Sequence, residues 1–296
     1  MLSKVFLLVI FTVIQQNVGG QMLGCYICRD LLQYNYVITT PEYVPYDLVR
    51  DCTFTMSQQS CAIKLEIDFD SQQTLVNVTG SSTYVETSII ASASVESGLD
   101  HKQYITFWCS DFRGGCNNAQ YLKRVLQAVN IEGSFEKLEH LLIPTNETLN
   151  STSCAVFSNT TSKCLPQCYD ELAEGCYIDS TMNTDGVSQV CAQCLISANY
   201  YLKYSMTFFM EDLMNISDSN NRELSCAVPY CNSIDNLEQI SQLVTIDFNA
   251  TAFVDSTTTT QVPPPTTAPT GTGVSIFRAK DLLKFCFFIL LLIRIV

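Results

Sequence analysis

The chain has 296 residues, 15 of them Cys, with 29 Asp+Glu against 16 Lys+Arg and a formal net charge of −13. So acidic a chain excludes phosphate-backbone binding, which needs clustered Lys and Arg to replace counterions. It equally excludes docking on anionic lipid through protein side chains.

Lys4 precedes an apolar run from Val5 to Ile14, and Val18-Gly19-Gly20 supplies small residues before Gln21. This is the pattern of a secretory signal peptide over residues 1–20. The run is too short to cross a bilayer, which needs about 20 apolar residues. Of the 14 Cys outside the last segment of the chain, six (Cys25, Cys28, Cys52, Cys61, Cys109, Cys116) fall in a first cluster. Eight (Cys154, Cys164, Cys168, Cys176, Cys191, Cys194, Cys226, Cys231) fall in a second. An even count in a secreted chain implies a disulfide framework. The polar stretch between the clusters reads as a linker over 144–152, which divides the chain into a first module, 21–143, and a second, 153–248.

Within the first module, Ala62–Asp68 alternates apolar and polar residues as a half-buried strand does, and Gln103–Trp108 runs as a strand into Cys109. In the second, Tyr200–Phe209 is rich in Tyr, Phe and Met with no helix-cap signal before it, and its aromatics are expected in the core. An internal repeat supports the division. Cys116-Asn117 opens CNNAQYLKRVLQAV and Cys231-Asn232 opens CNSIDNLEQISQLV, at an offset of 115 residues. Asn118 and Ser233 are placed as N-caps, so each module should end in a short amphipathic helix packed on its own body.

Six Asn-x-Ser/Thr sequons, at Asn77, Asn146, Asn150, Asn159, Asn215 and Asn249, agree with an extracellular address. From Asn249 to Gly271 the chain becomes a Ser/Thr/Pro-rich stalk that cannot bury a core. Residues 272–296 close the chain with a spacer and the apolar run Phe285–Val296. Small site, spacer and terminal hydrophobic tail form the order of a glycosylphosphatidylinositol signal, with Gly271 or Gly273 as the attachment residue. A transmembrane helix is the rival reading. It would bury Arg278, Lys280, Asp281, Lys284 and Arg294, each costing up to ~3 kcal/mol near the bilayer centre.

An early Cys25-x-x-Cys28, strands separated by Cys, and the closing Cys109-x6-Cys116-Asn117 and Cys226-x4-Cys231-Asn232 resemble the lymphocyte-antigen-6/urokinase-receptor superfamily. The resemblance implies a small disulfide-rich β fold: two three-finger-like modules, each followed by a short amphipathic helix. It also implies the pairs Cys25–Cys61, Cys28–Cys52, Cys109–Cys116, Cys154–Cys176 and Cys226–Cys231, and an Asn hydrogen-bonded into each knot. Cys164, Cys168, Cys191 and Cys194 pair in an order that the sequence leaves open. The second module departs from the family in lacking an initial Cys-x-x-Cys.

The two Cys-x-x-Cys motifs, Cys25/Cys28 and Cys191/Cys194, lack the electropositive setting of a redox pair and the compartment of a zinc site, so they read as structural. His101 and His140 are the only imidazoles, and neither accompanies a recognisable nucleophile motif. No spacing singles out a glycosidase-type carboxylate pair. The expectation is therefore a protein that is not an enzyme and uses no cofactor, metal or small-molecule substrate. It should be lipid-anchored on the outer face of the plasma membrane and contact a membrane receptor, ion channel or extracellular protein ligand. Tyr34, Tyr36, Tyr43 and Tyr46 in the long first loop are the candidate contact residues, with burial in the core the competing fate. A structural coat or adhesion glycoprotein is the alternative.

Overall fold

The computed structural model describes residues 22–96, 100–110, 115–134, 137, 142, 154–159, 174–195, 200–210 and 215–255. The signal-peptide segment, the linker, His140, Asn146, Asn150, Cys164, Cys168 and everything from Ser256 onward, including Gly271 and Gly273, lie outside these residues.

The protein is a disulfide-rich β structure. In the first half, β1 (Leu23–Ile27) pairs with β3 (Thr53–Gln58) as a ribbon, and β2 (Leu32–Tyr34), β5 (Gln73–Ser81), β4 (Ser60–Asp68), β7 (His101–Cys109) and β6 (Ser88–Glu96) form a sheet in that order. The expected alternation holds in β4: Ile63, Leu65 and Ile67 are buried while Lys64 between them is exposed. The second half repeats this sheet. Its strands β12 (Tyr201–Met210), β13 (Ile216–Cys226), β10 (Gly175–Met182), β11 (Ser188–Leu195) and β9 (Phe157–Ser158) lie in the mirrored order.

The halves are not separate sheets. β6 pairs antiparallel with β12 along nine residue pairs, from Tyr201↔Glu96 to Phe209↔Ser88, and closes one ten-stranded sheet. The register places Ser92 opposite Ser205, and the residues on either side of this pair are exchanged between equivalent positions of the two halves. A pseudo-two-fold axis therefore passes through the seam. It also passes through a second ribbon, where β8 (Val129–Gly133) pairs with β14 (Val244–Phe248) and Ile131 meets Ile246, its own repeat equivalent.

Both expected helices are present. Helix α1 (Ala119–Ala128) starts at Asn118, whose side chain accepts from the amides of Gln120 and Tyr121, and buries Leu122, Val125, Leu126 and Ala128 in the first half's core. Helix α2 (Ile234–Leu243) starts at Ser233, which accepts from the Asn236 amide, and buries Leu237 and Ile240 in the second. Asn118 thus caps two of the orphan N–H groups of its helix start and Ser233 one.

Beyond the helices the two tails cross. The Ser134 amide donates to the Leu243 carbonyl at 3.0 Å, and its repeat counterpart Asn249 donates to Ala128 at 2.8 Å. Leu142, from the first half, is fully buried in the second half's core. Phe253, from the second, is buried in the first, 5.7 Å from Phe107 and 5.9 Å from Phe248. The folded region therefore continues past Asn249, where the sequence reading began the stalk. Ala250–Asp255 is helix α3, packed on α1, because Asn249 caps it and Phe253 anchors it. The cores interlock as well: Phe208 and Met210 of β12 belong to the first cluster, and Ala93 and Val95 of β6 to the second.

Candidate functional site

Disulfides fix the framework on which any site is built. Cys25–Cys61, Cys28–Cys52, Cys109–Cys116, Cys154–Cys176 and Cys226–Cys231 are bonded, the five pairs implied by the family resemblance. Cys191 and Cys194 are also in disulfides. The members of the first Cys-x-x-Cys thus belong to two different bridges, and its sulfurs serve the scaffold. The sulfurs of Cys61, Cys109 and Cys116 lie within 4.8 Å of one another, but all three are oxidised and offer no thiolate to a metal.

At each knot a fully buried Asn ties three segments of the backbone together. Asn117 Oδ1 accepts from the Tyr26 amide at 3.0 Å, and its Nδ2 donates to Tyr26, Ala62 and Thr79 carbonyls at 2.7, 3.3 and 2.9 Å. Asn232 repeats the pattern on Ala155, Tyr177 and Gln193. Tyr26 and Ala155 each follow the first Cys of their half, and Ala62 and Tyr177 each follow its partner. This equivalence holds although the second half lacks the initial Cys-x-x-Cys.

The long first loop is pinned at several points. Cys28–Cys52 closes its base, and Ile38, Val44 and Leu48 insert into the core at 0, 4 and 3% exposure. Thr74 Oγ1 accepts from the Ile38 amide at 2.9 Å and donates to the Tyr36 carbonyl at 3.0 Å. A 3-10 turn at Pro41–Tyr43 begins with proline, whose fixed φ suits that position. The four candidate tyrosines divide on this frame. Tyr34 packs against the core, with its phenol raised above the ordinary range chiefly by burial. Tyr36, Tyr43 and Tyr46 are 41, 57 and 89% exposed. Three aromatic side chains are therefore held in solvent by a loop whose apolar residues are buried around them.

The Tyr200–Phe209 cluster also divides. Phe208 is in the core, stacked obliquely 5.3 Å from Phe248. Tyr201 instead faces the side of the sheet away from the helices. On that face, cross-strand partners form a row: Gln193, Tyr177, Ser225, Tyr201 and Glu96 from β11, β10, β13, β12 and β6. The adjacent row runs Cys191, Asp179, Glu223, Lys203 and Ser94. These rows line two adjoining grooves of about 450 and 530 Å³ that share Tyr201. The Tyr201 hydroxyl donates to Glu223 Oε2 at 3.3 Å, and Asn221 Nδ2 donates to Glu223 Oε1 at 2.7 Å. Burial, and then the negative charge of Glu223, push the Tyr201 phenol up to about 12. Burial, and then Asp179, raise Tyr177 further. Sequence reasoning missed this face. The alternation Tyr177-Ile-Asp-Ser-Thr181 carried the signal, but nothing local links it to Tyr201.

Among the sequons within the described residues, Asn159, Asn215 and Asn249 are exposed, and Asn77 is half-exposed on β5. The Asn159 side chain also bridges to β11, accepting from the Val190 amide and donating to the Ser188 carbonyl. His101 lies at the start of β7, where its backbone amide donates to Asp70 Oδ2 at 2.7 Å.

The described residues define a disulfide-rich, pseudo-two-fold β protein with a pinned aromatic loop and an open, grooved sheet face. No protein-family profile matches the chain, and no curated protein or solved structure matches it either.

Proposed function

We propose that this is a cell-surface binding protein: two three-finger-like modules, lipid-anchored through Gly271 or Gly273, that contact a membrane receptor, ion channel or extracellular protein ligand. The observation that carries the reading is the first loop. Exposed Tyr36, Tyr43 and Tyr46 stand on a backbone fixed by a disulfide, three buried apolar anchors and the Thr74 hydrogen bonds. Tyrosine offers large contact area at small entropic cost, and prior fixation of the loop lowers the cost of binding further. The three-finger reading is supported by the five bridges, by Asn117 and Asn232 in the knots, and by hairpins β4–β5 and β6–β7 with their repeats β10–β11 and β12–β13. The acidic charge and the disulfides support an extracellular setting.

Proximity labelling on living cells tests the contact reading. One or a few stoichiometric membrane partners, lost when residues 34–46 are replaced by a Gly/Ser loop, is the expected result. Diffuse labelling unchanged by the swap would leave the coat or adhesion reading. Phosphatidylinositol-specific phospholipase C should release the protein from cells. Retention after lipase, with Phe285–Val296 still present, would establish the transmembrane alternative.

A further inference from the structure

We infer that the groove lined by Tyr177, Asp179 and Tyr201 is a binding site for an organic cation, a protonated amine or a guanidinium. It lies on a different face of the protein from the helices and does not depend on the first loop.

Two observations carry this. The first is shape: the groove is a concavity of about 450 Å³ crossing β11, β10 and β12, large enough for a small molecule or one long side chain. The second is charge and chemistry. Its described lining combines two phenol rings, the Asp179 carboxylate and the amides of Asn183, Gln189 and Gln193, and includes no Lys or Arg. Glu223 adds a second carboxylate behind Tyr201, whose hydroxyl it holds. Lys203, opposite Glu223 in the register, faces the neighbouring groove instead. Ring faces attract cations through their quadrupoles, and carboxylates reinforce them. An anionic ligand would meet only like charge at Asp179.

The Tyr177 and Tyr201 hydroxyls are hydrogen-bonded to each other, and burial first, then the Asp179 and Glu223 carboxylates, hold both phenols neutral, so the groove offers a cation uncharged rings beside Asp179.

The test uses the full-length protein in detergent micelles, titrated with ethylguanidinium, n-butylammonium and the neutral isostere N-ethylurea, and read by saturation-transfer difference and tyrosine ring shifts in NMR. Both cations should bind saturably and shift tyrosine signals that Tyr177→Leu removes, and N-ethylurea should not. Asp179→Asn should weaken the cations at least about tenfold. Should Asp179→Asn fold poorly, Glu223→Gln provides the second variant, with a smaller weakening expected. An Arg-containing tripeptide, blocked at both ends, identifies the source. Tighter binding than ethylguanidinium marks a basic side chain of a protein, and weaker binding marks a free metabolite. Equal binding of N-ethylurea, no binding of either cation, or undiminished affinity in both variants would overturn the assignment.

Discussion

Replacing Asn117 with Ala removes one side chain that serves four backbone groups on three strands. In the native state its carboxamide pairs with the Tyr26 amide and with the carbonyls of Tyr26, Ala62 and Thr79, all within 3.3 Å, and the residue is fully buried. The Nδ2 group has only two hydrogens for three carbonyls, so the 3.3 Å contact to Ala62 is shared and the weakest. Three full hydrogen bonds at about 1 kcal/mol net each give about 3 kcal/mol. The Tyr26 N–H, left buried without this partner, adds desolvation of about 1–2 kcal/mol. The expected loss is therefore about 4–5 kcal/mol, a large part of the 5–15 kcal/mol typical of a native domain. Urea denaturation of the oxidised protein, followed by tyrosine and tryptophan fluorescence, measures it. Asn232→Ala should cost a similar amount, because Asn232 makes the same set of bonds in the second half. Asn117→Asp should fare no better than Ala, since it turns an oxygen toward carbonyls. A loss below about 1 kcal/mol for Asn117→Ala would refute the view that these bonds hold the knot.

Phe253→Ala empties a site that is 2% exposed between Phe107 and Phe248 and should cost about 3–5 kcal/mol. Because that ring comes from the second half and packs in the first, unfolding should remain a single transition. Two separate transitions would argue against interlocked halves. Strong reductant should abolish the near-ultraviolet circular dichroism, since each bridge contributes about 2–5 kcal/mol to a fold of modest cores. Tyr177 and Tyr201 titrate above the ~10 of an unfolded tyrosine. Their neutral forms contribute stability that is complete below pH ~10 and lost as the pH rises toward about 12, the value for Tyr201. Denaturation midpoints should thus fall between about pH 10 and 12, less steeply in Tyr201→Phe. An equal fall in that variant would contradict the assignment.

What the sequence disclosed follows from how local each signal is. The caps Asn118 and Ser233, the helices behind them and the alternation in β4 depend on neighbours within a few residues, and all are found in the structure. The disulfide pairs came through resemblance rather than spacing alone. The seam was not legible. β6 reads Ser-Ile-Ile-Ala-Ser-Ala-Ser-Val-Glu, and small residues on both faces blur the period of two. They are buried even on the grooved face, because β7 and β12 flank the strand and carry the larger side chains Tyr104, Tyr201 and Lys203 beside it. The repeat announced two copies of a unit, but no residue spacing encodes which edges of those copies meet. The crossing of the tails was hidden for the same reason: Phe253 is plainly an apolar anchor, but the core it enters is decided by the β8–β14 ribbon. The tyrosine loop was legible in composition only. Which rings face solvent was decided by Ile38, Val44 and Leu48 taking the interior positions.

The central claim is that the protein acts by contact through the first loop. The direct measurement is equilibrium binding of its purified, glycosylated ectodomain to intact cells that normally carry it, comparing the native loop with Tyr36→Ser/Tyr43→Ser/Tyr46→Ser. All three positions are exposed, so the variant should keep its thermal stability. The account predicts saturable binding that weakens at least about tenfold in the variant, equivalent to about 1.4 kcal/mol. Binding that does not saturate, or saturable binding that the three substitutions leave unchanged, would contradict it.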